Sequence, residues 1–152
     1  IKAYEWMEKE FDMKIIKLEM VDEYLYHLDC SIFPLTMDKT LVCAELFNEN
    51  ELAELSQYTN IVNVEIDDAL NGITNSVRLG NMILCASNIS ELTRADENYD
   101  AERHKIESLE KICFNEGLEP VFFNLSEYMK SGAMLSCMMM HLNYVDYTKS
   151  LL

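Results

Sequence analysis

Proline and glycine are scarce, two and four in 152 residues, so neither a collagen-like nor a low-complexity composition fits. With 49% hydrophobic and 10% aromatic residues, this scarcity argues against disorder and for one compact domain around one core. Basic residues are also few, 12 against 27 acids, for a net charge of −15. Such a surface lacks the footprint that nucleic acid or an anionic membrane requires, so neither partner is expected, and cationic small molecules are the natural guests. Most of the acids are spread along the chain and read simply as a solvated face. No apolar run approaches the roughly 18 residues that span a bilayer, since the N-terminal one is broken by Lys14, Lys17 and Glu19.

Walker, Rossmann and serine-elbow signatures are missing, and so are CxxC pairs. Five cysteines (Cys30, Cys43, Cys85, Cys113, Cys137) stand at irregular intervals; an odd set without a secretory leader suits free thiols and a cytoplasmic location. His27-x-x-Cys30 and Cys137-x-x-x-His141 lack structural-zinc spacing, and on a strand the first pair points to opposite faces, so no metal is expected. The chain begins at Ile1 and enters a helix-like stretch, Ala3 to Phe11, at once, which reads as the middle of a longer chain.

What is present is an alternation of short β-type runs with helical stretches, in a repeating order. Strands are expected at Met13 to Met20, Tyr24 to Phe33 and Thr40 to Leu46, then a helix from Asn50 to Tyr58 capped by Asn48 or Asn50, then a strand at Ile61 to Ile66. The order recurs with strands at Asn75 to Leu79 and Met82 to Ala86, a helix from Ala101 to Asn115 ended by Gly117, and a strand at Pro120 to Leu125. A last strand is expected at Met134 to His141, and Asn88 to Asp100 reads as a surface loop. Leu18, Ile66 and Leu125 each close a unit before a polar or acidic stretch, and His27, Asn75 and Cys137 follow those joints at similar offsets. Repeats of this kind put functional residues on one rim.

Three of these residues bear chemistry. His27 and Asp29 stand two apart, on one face if the segment is a strand. A strand His is more often a bonded core residue than a catalyst, but the adjacent Asp favours a shared polar site. Cys137, in Ser136-Cys137-Met138-Met139-Met140, reads as a soft packed thiol on composition and as a nucleophile if a distant His pairs with it. Cys85 and Cys113 fit the packed reading better, lying in an apolar strand and a helix.

The segment His27-Leu28-Asp29-Cys30-Ser31-Ile32-Phe33-Pro34-Leu35 resembles the H-L-D-T-x-F-x-P-L segment of amidinotransferases and arginine-deiminase-like members of the pentein superfamily. Thr74-Asn75-Ser76-Val77-Arg78-Leu79-Gly80 resembles their A-N-x-V-x-L-G, and Ser126-Glu127-Tyr128-Met129-Lys130-Ser131-Gly132-Ala133-Met134-Leu135-Ser136-Cys137 resembles S-E-F-x-K-A-G-G-G-x-K-C. The segments occur in family order and span Tyr24 to Leu142. The resemblance implies an α/β-propeller of five ββαβ modules, of which this chain is the C-terminal half, with the N-terminal modules absent and open edges that favour homo-oligomers. It implies Cys137 as nucleophile, His27 as acid/base, Asp29 as guanidinium ligand and Asn75 as a residue lining or supporting the site, without cofactor. Hydrolysis of the guanidino group of arginine or a substituted arginine is the first expectation, dimethylarginine-hydrolase-like members included. Amidino transfer to an amine and a non-catalytic, ribosome-factor-like binding role are the alternatives. The glycine run before the nucleophile is reduced here to Gly132, followed by Ala133 and Met134.

Overall fold

The computed structural model describes residues 2–140. Helix α1 (Lys2–Phe11) buries none of its residues. Residues 13–20 form no strand, contrary to expectation. The alternation is real, since Ile16, Leu18 and Met20 pack against the cluster of Val42, Phe47 and Leu55. The backbone, however, bonds to side chains rather than to a neighbouring strand: Ile15 N donates to Glu8 Oε1 and Glu19 N to Glu51 Oε1. Period two gives an inward face, but a strand also needs a ladder.

Two ββαβ modules follow, with the same internal order. In the first, β1 (Ile32–Pro34) pairs antiparallel with β2 (Lys39–Val42), α2 (Glu49–Leu55) crosses over, and β3 (Asn60–Asn63) returns parallel to β2. Asn48 caps α2 through a capping box with Glu51, so the crossover starts where the sequence signals it. In the second, β4 (Val77–Leu79) and β5 (Met82–Ala86) form the antiparallel pair, α4 (Tyr99–Glu116) crosses over, and β6 (Glu119–Phe123) runs parallel to β5. Helix α4 ends on Gly117, left-handed at φ +66°, as its place after the last apolar residue predicts.

One core joins the modules. Leu35 and Leu41 of the first are fully buried in the same cluster as Ile73, Ile83 and Leu109 of the second, together with Cys43, Cys85 and Cys113. Polar links cross the same boundary: Arg78 Nη1 donates to the Leu35 carbonyl at 2.7 Å, and Lys39 pairs with Glu116. Inside α4 the buried Lys105 ammonium donates to Glu102 Oε1 and to the Ala86 carbonyl, both at 2.7 Å.

The expected punctuation between modules is structural, but it is made of turns and short helices rather than strand ends. Ile66 opens α3 (Ile66–Leu70) and Leu125 caps α5 (Ser126–Met129). At the first joint, Asp22 accepts hydrogen bonds from Tyr24 N and Leu25 N and folds a turn. Tyr24 to Phe33 is likewise no continuous strand: Leu28–Cys30 is a 3-10 turn with His27 as its cap. The strand expected from Met134 gives way to a 3-10 turn at Ser136–Met138; His141 lies outside the described residues. Among the described residues, no helix is long and apolar enough to cross a membrane.

Candidate active site

The ends of the joints converge on Asn75. Helix α3 stops at Asn71, the chain turns through Gly72 at φ +87°, and Asn75 N–H donates to the Gly72 carbonyl, which leaves the Asn75 side chain fully buried and fixed. Its amide is then used completely. Nδ2 donates to Asp29 Oδ2 at 3.1 Å and to Cys137 Sγ at 3.2 Å, with Cys30 Sγ at 3.8 Å. Oδ1 accepts from Ser136 N at 2.8 Å and from Cys137 N at 3.4 Å. One buried amide therefore positions a carboxylate, two thiols and the turn that carries Cys137. Neighbouring Thr74 anchors the opposite side, its hydroxyl donating to the Cys30 carbonyl at 2.6 Å.

Asp29, Cys30 and Cys137 place a carboxylate oxygen and two sulfurs within 4.8 Å of one another. Such a trio of acceptors is complementary to a cation or to a planar N–H donor. The sulfurs differ. Cys137 is exposed, whereas Cys30 is half-buried and its thiol is pushed up to about 11, first by burial and then by the Asp29 carboxylate and the neighbouring Cys137, against a partial offset from the Asn75 amide. Cys30 stays protonated at neutral pH, which leaves Cys137 as the exposed thiol of the pair.

Beside the trio lies a hollow of about 260 Å³ whose lining includes Tyr24, Leu25, Leu70, Cys30, Asn75 and Cys137. Its wall is shaped by a small-for-large exchange: Met134 lies against Gly72, where a Cβ would collide with the thioether. Of the run before the nucleophile, Gly132 alone takes a left-handed conformation, at φ +80°. Ala133 and Met134 do not adopt one, so this backbone does not demand glycine there.

The structure thus gathers Asp29, Asn75 and Cys137. His27 is outside that trio and does not line the hollow; it is exposed, its ring edge-on to Tyr26 with centroids 4.4 Å apart. The expectation that His27 and Asp29 share a strand face fails for a local reason, because the 3-10 turn after His27 ends the two-residue alternation. Cys30 enters the site although its sequence context did not single it out. A larger hollow, about 390 Å³, is lined by Asp68, His104, Ser108 and Lys111 among others. Buried Asp68 holds His104 Nδ1 at 2.9 Å there and raises its pKa by that hydrogen bond and by charge. It contains no thiol, and the candidate site is the smaller hollow, whose lining includes the Cys30 and Cys137 thiols and the Asn75 amide that holds the Asp29 carboxylate.

No protein-family model matches the chain, and a search of curated proteins finds no match. Solved structures do match. The N-terminal domain of ArgZ bound to product, an arginine dihydrolase from the ornithine-ammonia cycle in cyanobacteria, superposes with a TM-score of 0.72 at 20% identity, over 92% of this chain and 46% of that one. A variant of that domain covalently bound to a reaction intermediate gives 0.70 at 21%, over 90% and 45%. AgrE in a ternary complex with ornithine and NAD+ gives 0.72 at 18%, over 92% and 18%. The chain shares the fold of these solved structures, and the resemblance of its three segments is supported at the level of fold alone. It spans less than half the length of the solved chains it matches.

Proposed function

We propose that this chain is the cysteine-bearing, C-terminal half of an enzyme domain that hydrolyses the guanidino group of arginine or a substituted arginine through a covalent amidino intermediate on Cys137. The observation that carries the reading is the double donation of the Asn75 amide, which holds the Asp29 carboxylate beside the exposed Cys137 thiol that lines the hollow. A guanidinium carbon is a poor electrophile because three nitrogens share its charge. Asp29 localises that charge by accepting hydrogen bonds from the nitrogens while the Cys137 sulfur attacks the carbon. Collapse of the adduct expels the amine and leaves an amidino thioether, which water then cleaves to regenerate the thiol. The surplus of 27 acids over 12 bases favours a cationic substrate. The dihydrolase character of the proteins that share the fold favours water over an amine as acceptor.

His27 takes the acid/base role on the resemblance of its segment. Among the described residues no hydrogen bond holds its imidazole, so substrate binding can recruit the ring without breaking one. Catalytic hydrogen bonds often tighten only in the complex.

The test compares two alkylating agents of equal size, a cationic haloacetamidine and a neutral haloacetamide. Cys137 should react faster with the amidine, and Asp29→Asn should abolish that preference. Losing a hydrogen bond to a charged group costs about 1.5–3 kcal/mol, or about ten- to a hundredfold in rate. Equal rates for the two agents in the unaltered protein would remove Asp29 as a guanidinium ligand.

A further inference from the structure

We propose that Cys30 and Cys137 form a reversible disulfide, Cys30 resolving a sulfenic acid that a hydroperoxide generates on Cys137. Three observations carry this. The two sulfurs, with the Asp29 carboxylate, lie within 4.8 Å of one another, and both face the same Asn75 amide group. Their exposure is unequal: Cys137 is open to an oxidant, while Cys30 is half-buried beside it. The remaining thiols, Cys43, Cys85 and Cys113, are buried in the core and fully enclosed. A dithiol in which one sulfur is accessible and the other is sheltered next to it is the arrangement of an attacked and a resolving cysteine.

The steps balance. The Cys137 sulfur attacks the distal oxygen of the hydroperoxide, the O–O bond breaks, and Cys137 becomes a sulfenic acid while the peroxide is reduced to an alcohol or water. The Cys30 sulfur then attacks the Cys137 sulfur, the S–O bond breaks, and hydroxide leaves. The thiol proton is taken by Asp29, whose Oδ1 accepts from the Cys30 thiol at 3.9 Å, and passes to the hydroxide as water. An S–S bond needs the sulfurs at about 2.05 Å, so closing it draws the Cys137 side chain, on the 3-10 turn Ser136–Met138, away from the Asn75 amide group and towards Cys30. The raised pKa of Cys30 has a kinetic consequence: the second step accelerates as the pH is raised above neutral. A disulfide here removes the proposed nucleophile from use, and a dithiol reductant returns it.

The proposal takes Cys137 as the reactive thiol of the preceding reading, but its readout needs no turnover. The full chain is treated with hydrogen peroxide, its remaining thiols are alkylated, and the digest is mapped by mass spectrometry. The free-thiol count should fall from five to three, with one intramolecular Cys30–Cys137 peptide pair, and return to five on reduction. In Cys30→Ser, Cys137 should remain a sulfenic acid that dimedone traps. A count that falls to four, with Cys137 as sulfinic acid and Cys30 alkylated, would overturn the proposal. Pairing of Cys137 with any other cysteine, or between two chains, would do the same. If the cross-link forms while the amidine preference is absent, the disulfide stands and the guanidino reading falls.

Discussion

Asn75→Asp separates the two halves of the Asn75 amide, because it keeps the acceptor that holds Ser136 N and Cys137 N and replaces the donor that faces Asp29 and Cys137. The lost donation to a carboxylate is worth about 1.5–3 kcal/mol. A second carboxylate then stands opposite Asp29 across a contact of 3.1 Å in the native chain. At an effective dielectric near 20, unit charges 4 Å apart repel by about 4 kcal/mol, a ceiling that protonation of either group lowers. The sum is a loss of about 3–5 kcal/mol at pH 7. The repulsion holds a carboxyl of the pair above its ordinary range in the folded state. A raised folded value favours the native state at pH below it and disfavours it above, so the variant should regain stability as the pH falls from 7 towards 5. Asn75→Ala should lose stability without that recovery. Urea unfolding followed by circular dichroism measures this better than fluorescence, since the single tryptophan, Trp6, is exposed on α1, away from the site. A loss under about 0.5 kcal/mol at pH 7, the range of ordinary surface substitutions, would mean that Asn75 organises nothing.

The Asp68–His104 pair raises the His104 pKa, so its stabilisation is complete below the ordinary value of about 6.5 and is lost as the pH rises through the folded value. Asp68→Asn should bring the His104 titration, followed by proton NMR, down towards that ordinary value; an unchanged titration would refute the pairing. Lys105→Met should strand the buried Glu102 carboxylate and destabilise the chain by about 3–5 kcal/mol, whereas adding Glu102→Leu should recover most of the loss. Thermal and urea unfolding of the single and double variants decide this, and equal losses in the two would refute it.

The elements whose signals are local could be read from the chain: the Asn48 cap, the Gly117 stop and the strand-strand-helix-strand order all stand where their residues place them. The segments at 13–20, 24–33 and 134–140 carry β-type patterns without forming continuous strands, for one reason. Alternation reports which side is buried, while a strand depends on a partner often far away in sequence and on whether local turns win the backbone hydrogen bonds. At Cys30 and Ser31 the turn wins, with N–H groups donating to the carbonyls of His27 and Leu28. The joints pointed to the right level of the fold, since Asn75 and Cys137 meet there. From the first joint it is Asp29 and Cys30 that reach Asn75, and Cys30 stands where the family segment carries threonine. That exchange was visible in the sequence, but its meaning depends on a contact 107 residues along the chain, which spacing cannot show.

Gly72 and Met134 give the sharpest test of how the site tolerates a shortened glycine run. Gly72 does two jobs: it adopts φ +87°, and it leaves room for the Met134 thioether. A side chain at Gly72 therefore carries two separable penalties. The left-handed backbone costs roughly 1–2 kcal/mol for an L-residue, whatever its neighbours. The collision can be relieved by swinging the flexible Met134 side chain aside, and since Met134 lines the hollow, that movement reshapes the space beside Cys137. Gly72→Ala should then lower stability and also change the rate at which Cys137 is alkylated by a bulky reagent. Adding Met134→Ala should restore the alkylation rate towards that of Met134→Ala alone, while the backbone penalty remains. A double-mutant cycle on both readouts isolates the contact. If the alkylation effects of the two substitutions are simply additive, Met134 does not meet Gly72 in solution, and the hollow is shaped by something else.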